Sequence, residues 1–233
     1  MKPSKIIAII VAGGVGKRLK SRIHKPFVPL GRRPMLTWTL QAFEKSNSVD
    51  GIILVTHRRD VARARKVVRA FRFRKIGCIV PGGETRMDSV WRGMQALPPE
   101  TQWVAVHDAA RPLVTPELIE ATIRGARRAK AAIAAVPVVP TVKQAVDGWV
   151  EKTLDRSRLW AVQTPQVFER GLLEKAHQHG RGNGFVATDD AALVERLGHR
   201  VRIVEGSPRN IKITTREDLV VAEALMKSNG MRS

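Results

Sequence analysis

"KIIAIIVAGGVGKRLKSRIHKP", Lys5 to Pro26, decides the fold. After Lys5 it opens on a run with no polar residue, too short to cross a membrane and too uniformly apolar for a strand with one wet face. Such a run reads as a strand buried on both sides, the kind a parallel sheet contains. Three glycines (Gly13, Gly14, Gly16) and six basic residues, counting His24, follow at once. A basic start, a short apolar run and small residues also imitate a secretory leader. Here the run merges into the glycine loop, which cleavage would destroy, so it is read as the first strand.

Outward from this unit the pattern repeats. "GIILVT" (Gly51–Thr56), "GCIV" (Gly77–Val80), "WVAVH" (Trp103–His107) and "AAIAAV" (Ala131–Val136) are further buried strands. Between them lie the helical patterns "PMLTWTLQAFEK", "RMDSVWRGMQAL" and "TPELIEATIRGARRAK", the last with Thr115 as cap and Pro116 at the first helical position. This alternation predicts an α/β fold with a mostly parallel sheet and helices on both faces. It breaks after Val136, where two prolines precede a hairpin turning at Asp147–Gly148, a protruding β-arm over about residues 137–160. An arm needs something to lie against, and a partner subunit is one candidate. The pattern then resumes with "ATDDAALVERLG" as helix, "RVRIVEG" as strand and "TTREDLVVAEALMK" as a helix capped by Thr215 with Asp218 three residues on. Residues 1–233 read as one domain carrying one arm.

The chain holds 41 Lys and Arg against 21 Asp and Glu, a formal charge of +20. Much of the excess lies in "HRRDVARARKVVRAFRFRK", His57 to Lys75, where Val61, Ala64, Val68 and Phe71 recur at helical spacing and arginines fill the gaps. This is either an amphipathic helix with a solvated basic face or a patch for a polyanion. The chain has no tyrosine and only 5% aromatic residues, few platforms on which single-stranded nucleic acid could stack. Cys78 is the only cysteine, so no intrachain disulfide forms, which suits a reducing cytoplasm. Its apolar neighbours make it a buried strand residue rather than a nucleophile. No 18-residue apolar segment exists, and no membrane span is expected.

The glycine loop is neither of two common phosphate loops. Aligned on Gly16–Lys17, a Walker A pattern would need glycine at Val11 and a hydroxyl at Arg18. A dinucleotide fingerprint begins well at Gly14–Val15–Gly16 but meets Leu19 where its third glycine belongs. What remains is a strand, a small-residue loop lined by Ala12, Gly13, Gly14 and Gly16, then Arg18 and Lys25. Glycines let backbone N–H groups approach phosphate closely, and full cationic charges serve best where negative charge builds up during substitution at phosphorus.

Other polar groups fall at the ends of apolar runs. Asp108, in "VHDAARP", is placed to hold magnesium on nucleotide phosphates, or else to act as a cap or ion-pair partner. Arg111 follows it. His107 reads as structural, since the six histidines show no ligand spacing. Gly82 and Gly83, with Arg86 and Ser89 entering a helix, are placed to close over a base. Lys212, in the apolar strand "NIKITT", either snorkels outward or points into a site. Arg156 and Arg158 lie just past the hairpin. No Ser/His/Asp or G-x-S-x-G pattern and no partnered cysteine appears, which favours positioning and electrostatics over covalent catalysis.

Seven blocks together, "VAGGVGKRL", "KPFVPLGRRPML", "GGETRMDSV", "VHDAARP", "LWAVQTPQVF", "TDDAALVE" and "NIKITTREDL", resemble the 2-C-methyl-D-erythritol 4-phosphate cytidylyltransferase family, in its order and from Ile6 to Leu225. The resemblance implies a Rossmann-like domain whose β-arm interlocks a homodimer. It also implies transfer of CMP from CTP to a methylerythritol phosphate, with release of pyrophosphate and with magnesium. By motif it gives Arg18 and Lys25 the α-phosphate, Asp108 the magnesium, and Ser89, Gly82 and Gly83 the cytidine. Arg156, Lys212 and Arg111 fall to the acceptor phosphate, and Thr141 joins Arg156 in acting across the dimer. Three positions depart from the family pattern: His24-Lys25-Pro26 stands for Pro-Lys-Gln, Pro140 stands where an Asp precedes Thr141, and Glu84 stands where Asp is frequent. Pro26 is expected to hold Lys25 extended. Two other readings stay open: the related ribitol 5-phosphate cytidylyltransferases, and a basic nucleic-acid-binding protein without activity.

Overall fold

The structure, a computed structural model, describes residues 5–14, 23–185 and 187–228. Gly16 and Arg18 lie outside the described residues. In chain order the elements are β1 (Lys5–Ala12), β2 (Pro29–Leu30), β3 (Arg33–Pro34), α1 (Met35–Lys45), β4 (Gly51–Thr56), α2 (Val61–Ala70), β5 (Ile76–Pro81), α3 (Arg86–Gln95), β6 (Thr101–Asp108), α4 (Pro116–Ala129), β7 (Ala131–Pro137), β8 (Lys143–Val146), β9 (Trp149–Thr153), β10 (Trp160–Glu169), α5 (Arg170–Gly182), α6 (Asp190–Arg196), β11 (Arg202–Glu205) and α7 (Arg216–Ser228). Seven strands form the central sheet in the order β11-β7-β10-β6-β1-β4-β5. Only β10 runs antiparallel to its neighbours β6 and β7.

The alternation along β1 shows why the sheet is covered twice. Ile6, Ala8, Ile10 and Ala12 pack with Leu36, Leu40 and Phe43 of α1 and Ile119 and Ile123 of α4. Ile7 and Ile9 join Val90 and Met94 of α3 and Leu173 of α5 on the other face. Ile6, Ile9 and Ile10 are fully buried, each contributing about 1.5–3 kcal/mol of hydrophobic stabilisation. A run apolar at both parities is thus what a strand between two helical layers requires. A smaller cluster, with Leu30, Met35, Trp38, Ile213 and Met226, docks α7.

The five apolar runs are strands, though β5, at the edge of the sheet, is only partly buried, and the capped helices start where their caps stand. Thr115 accepts a hydrogen bond from the Leu118 N–H, and Pro116 opens α4. Thr85 and Asp88 form a capping box at the start of α3. Three expectations need correction. "NIKITT" is not a strand: Lys212 lies in a segment outside the sheet, held by the Ile213 N–H donating to the Ala110 carbonyl at 2.8 Å. Phe71 is 37% exposed; α2 stops at Ala70, and the ring stacks on Phe73 with the Arg33 guanidinium over it. Lys25 begins a single 3-10 turn (Lys25–Phe27), so the extended residue is His24, one position earlier.

The arm is as expected. β8 and β9 pair only with each other, and Asp147 (φ 49°) and Gly148 (φ 84°) make the turn between them, both left-handed as a two-residue hairpin loop demands. Every residue of both strands is exposed, with Trp149 at 82%.

Candidate active site

From β1 the chain builds outward to β4 and β5, then returns to β1's other side as β6. That reversal opens a crevice at the carboxyl ends of the strands, where ligands of open α/β sheets bind. A cavity of about 750 Å³ occupies it, large enough for a nucleotide. Each wall belongs to a strand end: Val11–Gly14 after β1, His57 and Arg58 after β4, Gly82–Thr85 after β5, and Asp108–Ala110 after β6. Lys25 and Lys212 complete it. Among the described residues, five cationic side chains (Lys25, Arg58, Arg86, Arg92, Lys212) and two carboxylates (Glu84, Asp108) line it, an environment for a polyanion.

The glycines of the two loops serve different ends. A Cβ on Gly83 would sit 2.3 Å from the Asp88 Cβ, and one on Gly82 would sit 2.8 Å from Ser89 Oγ. Those two are small because the turn presses on the amino end of α3. There the Gly83 N–H donates to Ser89 Oγ at 3.2 Å, and the Ser89 hydroxyl donates to the Thr85 carbonyl at 3.0 Å. At Gly13 and Gly14, by contrast, a Cβ meets no described residue nearer than 3.9 Å. Packing among the described residues does not require glycine there, whereas close approach of a ligand to the backbone does.

Asp108 is the electrostatic centre. Its carboxylate takes Arg86 Nε at 3.1 Å on one oxygen and Lys212 Nζ at 2.5 Å on the other. Burial pushes its pKa up, but the Arg86 guanidinium and the Lys212 ammonium outweigh that and hold it well below the usual carboxylate range. Lys212 therefore points into the site rather than snorkelling away. Arg86 also reaches Asp190 at 2.7 Å, and Asp190 meets His177 Nε2 at 3.0 Å. Burial opposes the Arg86 charge, and Asp190 and Asp108 together keep it protonated, above its ordinary value. Sequence reasoning missed this role of Arg86, because its partner Asp190 lies 104 residues away.

Beneath the carboxylate, His107 is fully buried and structural, as expected. Its Nε2–H donates to the Arg111 carbonyl at 3.2 Å, and the Thr164 hydroxyl donates to Nδ1 at 3.0 Å. Thr164 Oγ in turn accepts the Asp108 N–H at 3.1 Å. This chain needs a neutral ring, and burial pushes the His107 pKa down to about 3. The unfolded chain, with an ordinary value near 6.5, therefore binds more protons than the native protein between these limits. The resulting stability is complete above about pH 6.5 and is lost as pH falls, at about 1.4 kcal/mol per unit. Urea unfolding at pH 7 and pH 5 checks this: His107→Asn, though destabilised, is expected to show a shallower pH dependence. An unchanged slope would remove His107 as its source.

The remaining expected residues are placed as follows. Ala12, Gly13, Gly14, Lys25, Gly82, Gly83, Ser89, Asp108 and Lys212 meet in the cleft. Arg111 is not among its lining; its guanidinium donates to the Asn210 carbonyl at 2.7 Å and the Val162 carbonyl at 3.1 Å. Thr141 and Arg156 sit at the base of the arm, away from the cleft lining, with Arg156 donating to the Val139 carbonyl. Cys78 is half-buried on β5, and burial pushes its thiol up, against a nucleophilic role. The histidines show no ligand spacing in the sequence, yet in the structure His24, His57 and Asp60 converge, their ligand atoms within 4.8 Å of one another. The 32 residues between the two histidines hid this from any spacing rule.

Among the described residues no helix is long and apolar enough to cross a membrane. The family model described as 2-C-methyl-D-erythritol 4-phosphate cytidylyltransferase matches residues 6–228. The protein of that name from Desulforamulus reducens is 46% identical over 95% of this chain and 96% of its own length. Its counterpart from Geobacillus kaustophilus is 43% identical over 95% and 96%. Among solved structures, the 4-diphosphocytidyl-2C-methyl-D-erythritol synthase from Anaerococcus prevotii superimposes with a TM-score of 0.85 at 32% identity, covering 96% of this chain and 99% of that one. The Thermus thermophilus enzyme gives 0.78 at 32%, covering 94% and 98%. A cleft lined by five of the seven blocks, and likeness over nearly the whole length of each relative, lead to one conclusion: the chain belongs to the 2-C-methyl-D-erythritol 4-phosphate cytidylyltransferase family.

Proposed function

We propose that this chain transfers CMP from CTP to 2-C-methyl-D-erythritol 4-phosphate in the cytoplasm, as a homodimer. The observation that carries the reading is the pairing of Lys25 with the Lys212–Asp108 ion pair in the wall of one cleft, opposite a glycine loop open to a ligand. CTP lies with its phosphates along Ala12, Gly13 and Gly14 and its base against Gly82, Gly83 and Ser89. Gly16 and Arg18 belong to the same loop by motif. An oxygen of the acceptor phosphate forms a bond to the α-phosphorus, the bond to the bridging oxygen breaks, and the electron pair leaves with pyrophosphate. The acceptor phosphate is ionised at neutral pH, so no general base is needed. The difficulty is bringing two anions together, and Lys25 and Lys212 lower that repulsion.

Asp108 suits magnesium. It stays ionised, and each of its oxygens keeps a lone pair beyond the contacts to Arg86 and Lys212. When bound, the ion supplies charge neutralisation at the nucleotide phosphates. Arg111 fixes the Lys212 segment against β10 at the acceptor end of the site. Thr141 and Arg156 reach the acceptor from the partner's arm.

The arm supports the dimer. An isolated two-stranded hairpin is marginal in water, and here Trp149, Val150 and Val146 are all more than half exposed. Trp149→Asp is expected to turn a dimer into a monomer in sedimentation equilibrium; a dimer of unchanged affinity would exclude the arm as the interface.

Magnesium-dependent pyrophosphate release tests the reaction, with methylerythritol phosphate and ribitol 5-phosphate offered in parallel. Release with the first alone is expected. Release with the second alone overturns the acceptor, and silence with both overturns the reaction.

A further inference from the structure

The convergence of His24, His57 and Asp60 lies beside the cleft but outside the chemistry just described. His24 is the residue before Lys25 and caps its 3-10 turn through the backbone, the Phe27 N–H donating to the His24 carbonyl at 2.9 Å. His57 ends the β4 connection and lines the cleft. Asp60 sits at the amino end of α2, yet its carboxylate makes no capping hydrogen bond; it faces His24 Nδ1 instead. The two rings meet edge to face, 5.2 Å apart. Asp60 is 7% exposed, and both histidines are half-buried. Among the described residues this is the one group of three or more possible metal-ligating side chains whose donor atoms come so close.

We infer that these three residues form a binding site for a zinc-class divalent cation that ties the Lys25 turn to the β4–α2 connection. Two imidazoles and one carboxylate are the donor set that borderline transition ions favour, whereas magnesium favours oxygen alone. In a tetrahedral zinc site neighbouring donor atoms lie about 3.3 Å apart, from bonds near 2.0–2.1 Å. The present donors, within 4.8 Å, reach that spacing by rotation of side chains rather than movement of backbone. The ion takes the place of the proton between His24 Nδ1 and Asp60, and the neutral ring carries its single proton on Nε2 as the other tautomer. At His57 the competing contact is a long one, the Arg59 N–H donating to Nδ1 at 3.3 Å. The nearby charges of Lys25, Arg58 and Arg63 disfavour weakly held ions, so nitrogen ligation has to dominate. The fourth position stays open to water or an anion. This site is separate from Asp108 and does not depend on the acceptor.

Cobalt(II) titration of the untagged full-length chain tests it, read by visible absorption, with millimolar magnesium present to occupy oxygen-only sites. One equivalent per chain is expected to develop the strong bands of a nitrogen-ligated tetrahedral ion, and zinc should bleach them. His57→Asn keeps a side-chain oxygen for the Arg59 N–H, so the fold should persist, and affinity should fall by roughly 100-fold or more. His24→Asn provides a second variant with the same expected loss. Bands no stronger than those of a His24→Asn/His57→Asn double variant overturn the site. So do bands whose affinity neither single substitution changes, because the ion is then bound elsewhere.

Discussion

Lys25→Ala is expected to lower the turnover of cytidylyl transfer by roughly 10²–10³-fold, while apparent CTP affinity changes by less than about tenfold. The reasoning rests on where charge develops. CTP arrives already charged, and among the described residues the cleft offers it four other cationic side chains. Losing one of several weakens ground-state binding only moderately. At the moment of substitution, charge concentrates on the α-phosphorus oxygens and on the departing pyrophosphate, beside the glycine loop. Lys25 stands there: its Cδ lies 4.0 Å from the position a Cβ on Gly14 would take. Steady-state kinetics at saturating acceptor decide the matter. Raised KM for CTP with unchanged kcat would assign Lys25 to uniform binding and remove its transition-state role.

Asp108→Asn is expected to be costlier, because it acts on activity and fold together. An amide keeps the size and loses the charge, leaving Arg86 with Asp190 alone and Lys212 with no carboxylate. Breaking a fully buried ion pair costs about 3–5 kcal/mol. Lys212 is 42% exposed and Arg86 retains one partner, so a loss on the order of 2 kcal/mol is expected here. Activity should fall further, on the order of 10³-fold, since several kcal/mol of metal-derived charge stabilisation are lost with the ligand. Denaturant unfolding gives the first quantity and pyrophosphate release the second. Near-wild-type turnover at raised magnesium would show that the ion does not need this carboxylate.

The sheet was legible where burial is simplest. β1, β4 and β7 are apolar at nearly every position because helices cover both faces. β10 was not legible. Gln163, Thr164 and Gln166 are buried in it, and a proline stands between them, which reads against a central strand. Those polar groups have fixed partners: Gln163 accepts from Asn210, Thr164 serves His107 and Asp108, and Gln166 donates to Asp189. Their chemistry is tertiary, so no local pattern encodes it. The same holds for the site. Motif resemblance brought Lys25, Ser89, Asp108 and Lys212 to one place, but it gave no hint that Arg86 joins two carboxylates or that His24 faces Asp60. Those contacts are set by strand order, which sequence spacing does not contain.

Lys212 rides on a segment that belongs to no strand and is held by a backbone hydrogen bond to Ala110, by Arg111 and β10 at Asn210, and by the docking of α7. The charge balance at Asp108 therefore depends on a part of the chain that lies far from it in sequence. A chain ending after β10 would keep Asp108 and Arg86 but lack the ammonium that meets the carboxylate's other oxygen. Loss of α7 would thus loosen the centre's second cation without removing any residue that lines the cleft.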